Sequence, residues 1–208
     1  MIKALIFDFD GTLIHLPQSY LLNVVNKSLE SLNAEKPSVK DFKRFWYEHE
    51  RDNFIQEKFR VEAQEFWKAF NIFDKERSKA SIPYPDTLEI KALKSKGYKI
   101  GFFTGTNPAT TEHYLEILGF KQGEETTVNN WKECLPPKPH PAGLELCMSR
   151  IKTKPEETAY IGNGDEDILT ARNAKVLDII VDRKEYRLKE KPSLKIESLQ
   201  ELEKAIRK

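Results

Sequence analysis

The sequence predicts an α/β protein: a Rossmann-like parallel sheet covered by helices on both faces, with a small helical domain inserted after the first strand. Three observations carry this. Short apolar runs without polar alternation recur along the chain, as in strands buried on both faces. Helical patterns with start and stop residues lie between those runs, and such alternation implies a parallel sheet. Residues 15–83 depart from the alternation and carry helical periodicity alone. At 208 residues the chain is long enough for one sizeable core plus a small inserted module.

The first run, Ile2 to Phe9, is apolar apart from Lys3 and the acid near its end. The insert follows, with helices expected at Ser19 to Leu32, Ser38 to Glu50 and Asn53 to Phe73. Leu21, Val25, Leu29 and Leu32 fall at helical spacing in the first of them. Ten aromatic residues lie between Phe42 and Phe73, Trp46 and Trp67 among them, enough for the insert to have its own core. Pro17 on one side and Pro83 and Pro85 on the other read as linkers. The boundaries expected are therefore 1–14 with 84–208 for the α/β domain, and 15–83 for the helical one.

A helix is expected from Asp86 to Lys96, between Pro85 and Gly97, and a strand from Tyr98 to Phe103. Asn107-Pro108 opens a helix over Ala109 to Leu118 that Gly119 closes; proline at the first position and glycine past the end are ordinary helix punctuation. Thr126 to Val128 is a weak strand, Pro141 to Ile151 a helix, Thr158 to Ile161 a strand and Asp165 to Ala174 a helix. Val176 to Val181 is the last strand expected. Ser198-Leu199-Gln200-Glu201 has the form of a capping box, which starts a short terminal helix.

Charge excludes some classes of partner. Lys and Arg number 34 against 33 Asp and Glu, so no net field draws nucleic acid or an anionic membrane. The densest basic run, Arg183 to Lys191, is interrupted by Glu185 and Glu190. Cys134 and Cys147 lie far apart and outside any CxxC pattern, as free thiols in a reducing cytosol do. The apolar N-terminal stretch stops at Asp8, and no apolar run approaches the ~20 residues that span a bilayer. A cytoplasmic protein is expected. Nothing in the sequence specifies an oligomeric state.

Four polar clusters are expected, each at the carboxyl end of a strand. The first is Asp8 and Asp10 in "IFDFDGTL". Residues two apart on a strand face the same way, so the two carboxylates are expected to point together, their Cα atoms roughly 6–7 Å apart. As mere packing they would be expensive, because unpaired buried charge costs several kcal/mol. Gly11 permits a tight turn that brings backbone N–H groups toward an anion. The second cluster is Thr104, Gly105 and Thr106 ahead of a helix N-terminus, an anion site in form. The third is Lys138, one cation on a loop stiffened by prolines, "PPKPHP". The fourth is "IGNGDEDI", residues 161–168, which sets Asn163 beside Asp165, Glu166 and Asp167. The carboxyl ends of strands are where open parallel sheets bind ligands.

His15, His49, His113 and His140 show no metal-ligand spacing. His15 follows the first cluster closely enough to be a candidate for substrate contact. Arg44, His49 and Arg51 read as one solvated helix face.

These clusters in this order resemble the haloacid dehalogenase-like superfamily of phosphotransferases. Asp8-Phe9-Asp10-Gly11-Thr12-Leu13 matches the first family motif residue for residue. Thr104 matches the second, Lys138-Pro139-His140-Pro141 the third, and Gly162 to Asp167 keeps the spacing of the fourth. The resemblance implies a Mg²⁺-dependent phosphatase acting on a small phosphorylated metabolite, phosphoglycolate being one candidate. Asp8 would be the nucleophile that forms an aspartyl-phosphate, and Asp10 the general acid and then base. Thr104, Gly105 and Lys138 would hold the phosphoryl group. Asp8, the carbonyl of Asp10, Asn163 and Asp167 would make up the metal side, with Asp167 bonded to the ligands or to Lys138. The insert would be a cap that closes over the substrate. Members that displace halide lack an acid at the position of Asp10, which favours phosphoryl transfer here. Asn163 stands where the family usually has a metal-binding Asp, and Asp165 or Glu166 is expected to swing in and compensate. Two alternatives remain: a phosphomutase of the same fold, and a binding or regulatory protein with a weakened metal site.

Overall fold

The computed structural model describes residues 1–47, 51–121, 123 and 125–207. Its strands are β1 (Ala4–Phe7), β2 (Ile14–His15), β3 (Ile82–Pro83), β4 (Lys99–Thr104), β5 (Thr126–Asn129), β6 (Thr158–Gly162), β7 (Leu177–Val181) and β8 (Leu194–Ile196). Six of them form one sheet in the order β5-β4-β1-β6-β7-β8, and every pairing in it is parallel. β1 is central: Phe7 lies in register with Phe102 of β4 on one side and Ile161 of β6 on the other. Successive residues of β1 serve opposite faces. Leu5 and Phe7 pack in a cluster with Phe102, Tyr114 and Ile179, while Ile6 packs with Phe103, Leu144, Cys147 and Tyr160. This is why the run is apolar without alternation.

The helices are α1 (Gln18–Ser31), α2 (Val39–Tyr47), α3 (Arg51–Phe54), α4 (Ala63–Phe73), α5 (Arg77–Ala80), α6 (Glu89–Ser95), α7 (Pro108–Ile117), α8 (Asn130–Glu133), α9 (Ala142–Ile151), α10 (Asp165–Asn173) and α11 (Leu202–Ile206). Asn107 caps α7, its side chain accepting from Thr110 N at 2.9 Å, with Pro108 at the first position. The capping box at Ser198 is present, though it opens a 3-10 turn, Leu199–Glu201, before α11. No helix among the described residues is long and apolar enough to cross a membrane.

Chain contacts divide the protein into two compact units, residues 1–15 with 82–208, and residues 16–81. The second has a core of its own. Phe45 lies at its centre, its ring centroid 5.3 Å from Phe59, 5.4 Å from Phe66 and 5.8 Å from Trp67. Full burial of side chains such as Phe45 and Phe66 contributes up to about 3 kcal/mol each.

Four expectations need correction. Asn53 to Phe73 is not one helix: α3 runs into a π-helical segment, Ile55–Phe59, and Arg60 then turns left-handed (φ 57°) before α4. No glycine marks that break, so periodicity ran through it. The helix expected over Asp86 to Lys96 begins as a 3-10 turn, Pro85–Leu88. β8 was not expected, because a three-residue edge strand needs little apolar character. Ile14 and Pro83, the latter read as linker, pair antiparallel in the small β2–β3 sheet. The expected end of the second insert helix, Glu50, lies outside the described residues.

Candidate active site

β1 stops at Phe7, and the backbone of Asp8 makes one further bond, donating to the carbonyl of Ile161 at 2.9 Å. Asp10 is not on a continuous strand. The Phe9 carbonyl accepts from the N–H groups of Thr12, Leu13 and Ile14 (3.1, 2.8 and 2.9 Å), folding residues 9–14 into a turn. Ladder bonding therefore ends at Asp8 and Asp10 lies on the turn, close enough for its charge to act on Asp8. Gly11 sits in it at φ +77°, and a Cβ there would lie 2.1 Å from Nδ2 of Asn163. Glycine is required twice over, for the dihedral and for the approach of the amide.

Asp8 is buried. Its Oδ1 accepts from Nζ of Lys138 at 2.7 Å, and its Oδ2 has no hydrogen-bond partner among the described residues. Lys138, itself enclosed, also donates to Oδ1 of Asp167 at 2.8 Å and lies 5.4 Å from the ring centroids of both Phe103 and Tyr160. Burial pushes the Asp8 carboxyl up to about 7; Lys138 pulls it down, and the charges of Asp167 and Asp10 add to the rise. For Lys138 burial works against the ammonium, but Asp167 and Asp8 outweigh it and hold the pKa above the ordinary lysine value. The site thus holds more negative charge than its one buried cation neutralises.

Asp167 is committed to its neighbours. Besides Lys138 it accepts from the Tyr160 hydroxyl at 3.1 Å on Oδ1, and from the N–H groups of Asn163 and Gly164 at 3.0 and 3.1 Å on Oδ2. Four bonds fill the acceptor positions of a carboxylate. Burial disfavours its charge, yet Lys138 and the two amides overcome that and keep its pKa below the ordinary value. In this arrangement Asp167 orients Lys138 rather than facing an open coordination position. Gly162 makes the packing possible, since a Cβ there would lie 2.3 Å from Cβ of Asp167. Asn163, half-buried, accepts from the Thr12 hydroxyl on its Oδ1 at 3.3 Å, so the first and fourth motifs touch.

Asp165 does not swing toward this cluster. It is buried, and it accepts from the N–H groups of Lys189 and Glu190 at 3.0 and 2.9 Å, tying down the loop after β7. Glu166 contributes its charge to holding Lys138 protonated. Thr104 ends β4 beside β1 and the exposed Gly105 follows it; the Thr104 hydroxyl accepts from Thr106 N at 3.1 Å, a bond within the loop. That leaves the Thr104 hydroxyl hydrogen to donate elsewhere. Asn129, at the end of β5, holds the loop by donating to the Thr106 carbonyl at 2.7 Å.

Sequence reasoning missed the residues that aim these groups. The buried Tyr114 hydroxyl donates to Oδ1 of Asp10 at 2.7 Å, and Tyr160 does the same service for Asp167. One lies inside the expected helix Ala109 to Leu118 and the other inside the expected strand Thr158 to Ile161, where no local signal singles them out. His15 is turned onto Glu185 at 3.0 Å and Tyr84 at 3.4 Å. Arg44 lies over Phe54 and Arg51 over Trp46, so neither belongs to a freely solvated face; His49 lies outside the described residues.

A model of the haloacid dehalogenase-like hydrolases matches residues 2–175. The chain belongs to that family. It is 25% identical over 187 residues to the pyrophosphatase PpaX of Oceanobacillus iheyensis, covering 84% of this chain and 81% of that protein. Among solved structures, a hydrolase from Pseudomonas syringae superposes with a TM-score of 0.84 at 16% identity, covering 99% of this chain and 98% of the other. A predicted phosphoglycolate phosphatase from Haemophilus somnus superposes with a TM-score of 0.76 at 20% identity, covering 100% and 98%. These two structures share the fold.

The family implies Mg²⁺. Among the described residues no three His, Cys, Asp or Glu side chains gather as a metal-ligand group. The donors that fit are oxygens of mixed kind: the Asp8 carboxylate, the Asp10 main-chain carbonyl and the Asn163 amide. Such a set suits a hard cation, and the surplus of buried negative charge around Asp8 favours one.

Proposed function

We propose that this hydrolase is a phosphatase that releases phosphate from small phosphorylated compounds, with Asp8 as its nucleophile. One observation carries the reading: Asp8 is a buried carboxylate with one oxygen held by Lys138 and the other unclaimed, two residues before a second carboxylate. The unclaimed oxygen bonds to phosphorus as the bond from phosphorus to the leaving oxygen breaks, and Asp10 gives that oxygen a proton. Asp10 then takes a proton from water as the water oxygen bonds to phosphorus and the bond to Asp8 breaks. The Tyr114 hydroxyl orients Asp10 for both transfers. Thr104, Gly105 and the amides after them supply hydrogen bonds to the phosphoryl oxygens, and Lys138 balances charge beside the nucleophile. Mg²⁺, held by Asp8, the Asp10 carbonyl and Asn163, would neutralise charge that otherwise repels the phosphate.

The relatives' names support the substrate class, one being a pyrophosphatase and another a predicted phosphoglycolate phosphatase. The unpaired Cys134 and Cys147 fit action in the cytoplasm. The test is phosphate release from a panel that includes pyrophosphate, phosphoglycolate and sugar phosphates, with and without Mg²⁺. Mg²⁺-dependent release supports the reading. Turnover that needs a sugar bisphosphate and yields an isomer would make the protein a mutase. No turnover of any member, aryl phosphates included, would leave it a binding protein.

A further inference from the structure

We infer that Arg183, outside all four motif clusters, is a positioning residue that holds the Asp10 turn in place for proton transfer. This rests on the phosphatase reading above. Arg183 stands on the loop after β7. Its guanidinium makes two parallel bonds to Asp86, Nη1 to Oδ2 at 2.9 Å and Nη2 to Oδ1 at 3.0 Å, and its carbon lies 3.9 Å from the centroid of the Tyr84 ring. Nη2 also donates to the carbonyl of Thr12 at 2.6 Å. That carbonyl lies on the turn two residues beyond Asp10, on a residue with no solvent exposure.

The brace is rigid at both ends. Asp86 also accepts from the Ser198 hydroxyl and the Leu199 N–H, at 3.1 and 2.9 Å, so it cannot follow Arg183 if the loop shifts. The loop itself is tied by Asp165 through Lys189 and Glu190, and by Glu185, which accepts from the Tyr84 hydroxyl at 2.9 Å. A planar fork that serves one carboxylate and one carbonyl together has no lysine equivalent. Asp86 nearly cancels the charge of Arg183, so the contribution to the reaction is geometric. The turn carries Asp10 at one end and Thr12 at the other. Tyr114 aims the Asp10 side chain, while Arg183 fixes the backbone from which it projects.

A displaced Asp10 impairs proton donation to the leaving oxygen and leaves anion binding by Thr104 and Lys138 as it was, while saturating Mg²⁺ offsets any weakening at the Asp10 carbonyl. The loss therefore depends on how much the leaving group needs a proton. Phenolate leaves poorly without one; dinitrophenolate leaves without help. The test compares Arg183→Lys and Arg183→Met with wild type on phenyl phosphate and dinitrophenyl phosphate. At saturating Mg²⁺ the expected result for the folded variants is a fall in kcat/KM, which reports transfer to Asp8 and not the later hydrolysis common to both esters, of about tenfold or more on phenyl phosphate and under about threefold on dinitrophenyl phosphate, because general acid catalysis is worth roughly 10²–10⁴-fold when intact. Equal losses on both substrates, or none, overturn the inference. If Arg183→Met prevents folding, Arg183→Lys carries the test; if neither variant folds, Arg183 serves the fold rather than the Asp10 turn and the inference falls. If the wild type hydrolyses neither ester, phosphoglycolate and pyrophosphate, whose leaving groups differ in the same sense, replace them; no turnover of any member of the panel refutes the phosphatase reading itself, a different outcome.

Discussion

Replacing Lys138 with methionine perturbs the site at its one buried cation. The lysine side chain is 6% exposed and bridges Asp8 and Asp167 at 2.7 and 2.8 Å. Breaking a buried pair by removing one partner costs about 3–5 kcal/mol, because the other charge stays buried without compensation. Here two carboxylates are left, and the cost depends on pH. In the wild type the folded-state pKa of Asp8 is raised from 3.8 to about 7, roughly three pH units at 1.36 kcal/mol each, or about 4 kcal/mol. A raised pKa means that the folded state binds the proton more tightly than the unfolded chain. That contribution is fully present below pH 4 and is lost as pH rises through 7. Without Lys138 the one large influence lowering the Asp8 pKa disappears, so the pKa rises further. The loss of stability in Lys138→Met should then be greater at pH 8 than at pH 5.5, by about 1–2 kcal/mol. Urea unfolding at the two pH values measures it. The acidic limb of the activity profile should move to higher pH, since Asp8 must ionise to attack. Equal destabilisation at both pH values, with the profile unmoved, would refute the coupling of Asp8 to Lys138.

Gly162→Ala sets a Cβ 2.3 Å from Asp167, which must move and release Lys138; about 1–3 kcal/mol of stability and at least tenfold in turnover should go with it, and a variant with wild-type unfolding midpoint and rate would show that the contact relaxes freely. Asn163→Asp adds a charge where the amide now supplies only a dipole; at an effective dielectric of ~20, one charge at ~4 Å is worth on the order of 4 kcal/mol before desolvation is subtracted. The aspartate variant should need less Mg²⁺ for half-maximal activity and gain more thermal stability from added Mg²⁺ than the wild type. Identical Mg²⁺ dependence in both readouts would mean that position 163 is not a metal ligand.

The sheet was legible because both faces of it are covered: Leu5, Ile6 and Phe7 are all buried, and an unbroken apolar run can mean little else. β8 was not, since it lies at an edge, and its approach is held by polar contacts, Asp178 accepting from the N–H and hydroxyl of Ser193 at 2.6 Å each. The clusters around Asp8, Thr104 and Asp167 were visible as chemistry at strand ends, whereas Lys138, expected at one, lies on the loop beyond α8. What aims them was not. Tyr114 reaches Asp10 across 104 residues, and Arg183 reaches Thr12 across 171, and no local spacing encodes such partners. The two-residue interval from Asp8 to Asp10 reads as one face of a strand; the ladder bonds end at Asp8, and the turn closed on the Phe9 carbonyl follows, carrying Asp10 and Thr12. The run of acids at 165–167 divides in the same way: Asp165 ties a loop, Asp167 orients Lys138, and both also lie in the first turn of α10, where negative charge is favoured.

The central claim is that Asp8 carries the phosphoryl group. It is tested most directly by quenching the enzyme in acid during turnover of its best phosphorylated substrate and mapping the modified peptide by mass spectrometry. The account predicts one phosphoryl group on the peptide containing Asp8, located on Asp8 itself. It also predicts that Asp8→Asn yields a folded protein with neither the modification nor measurable phosphate release. A phosphoryl group found elsewhere, or an asparagine variant that keeps a tenth of wild-type turnover, would contradict it.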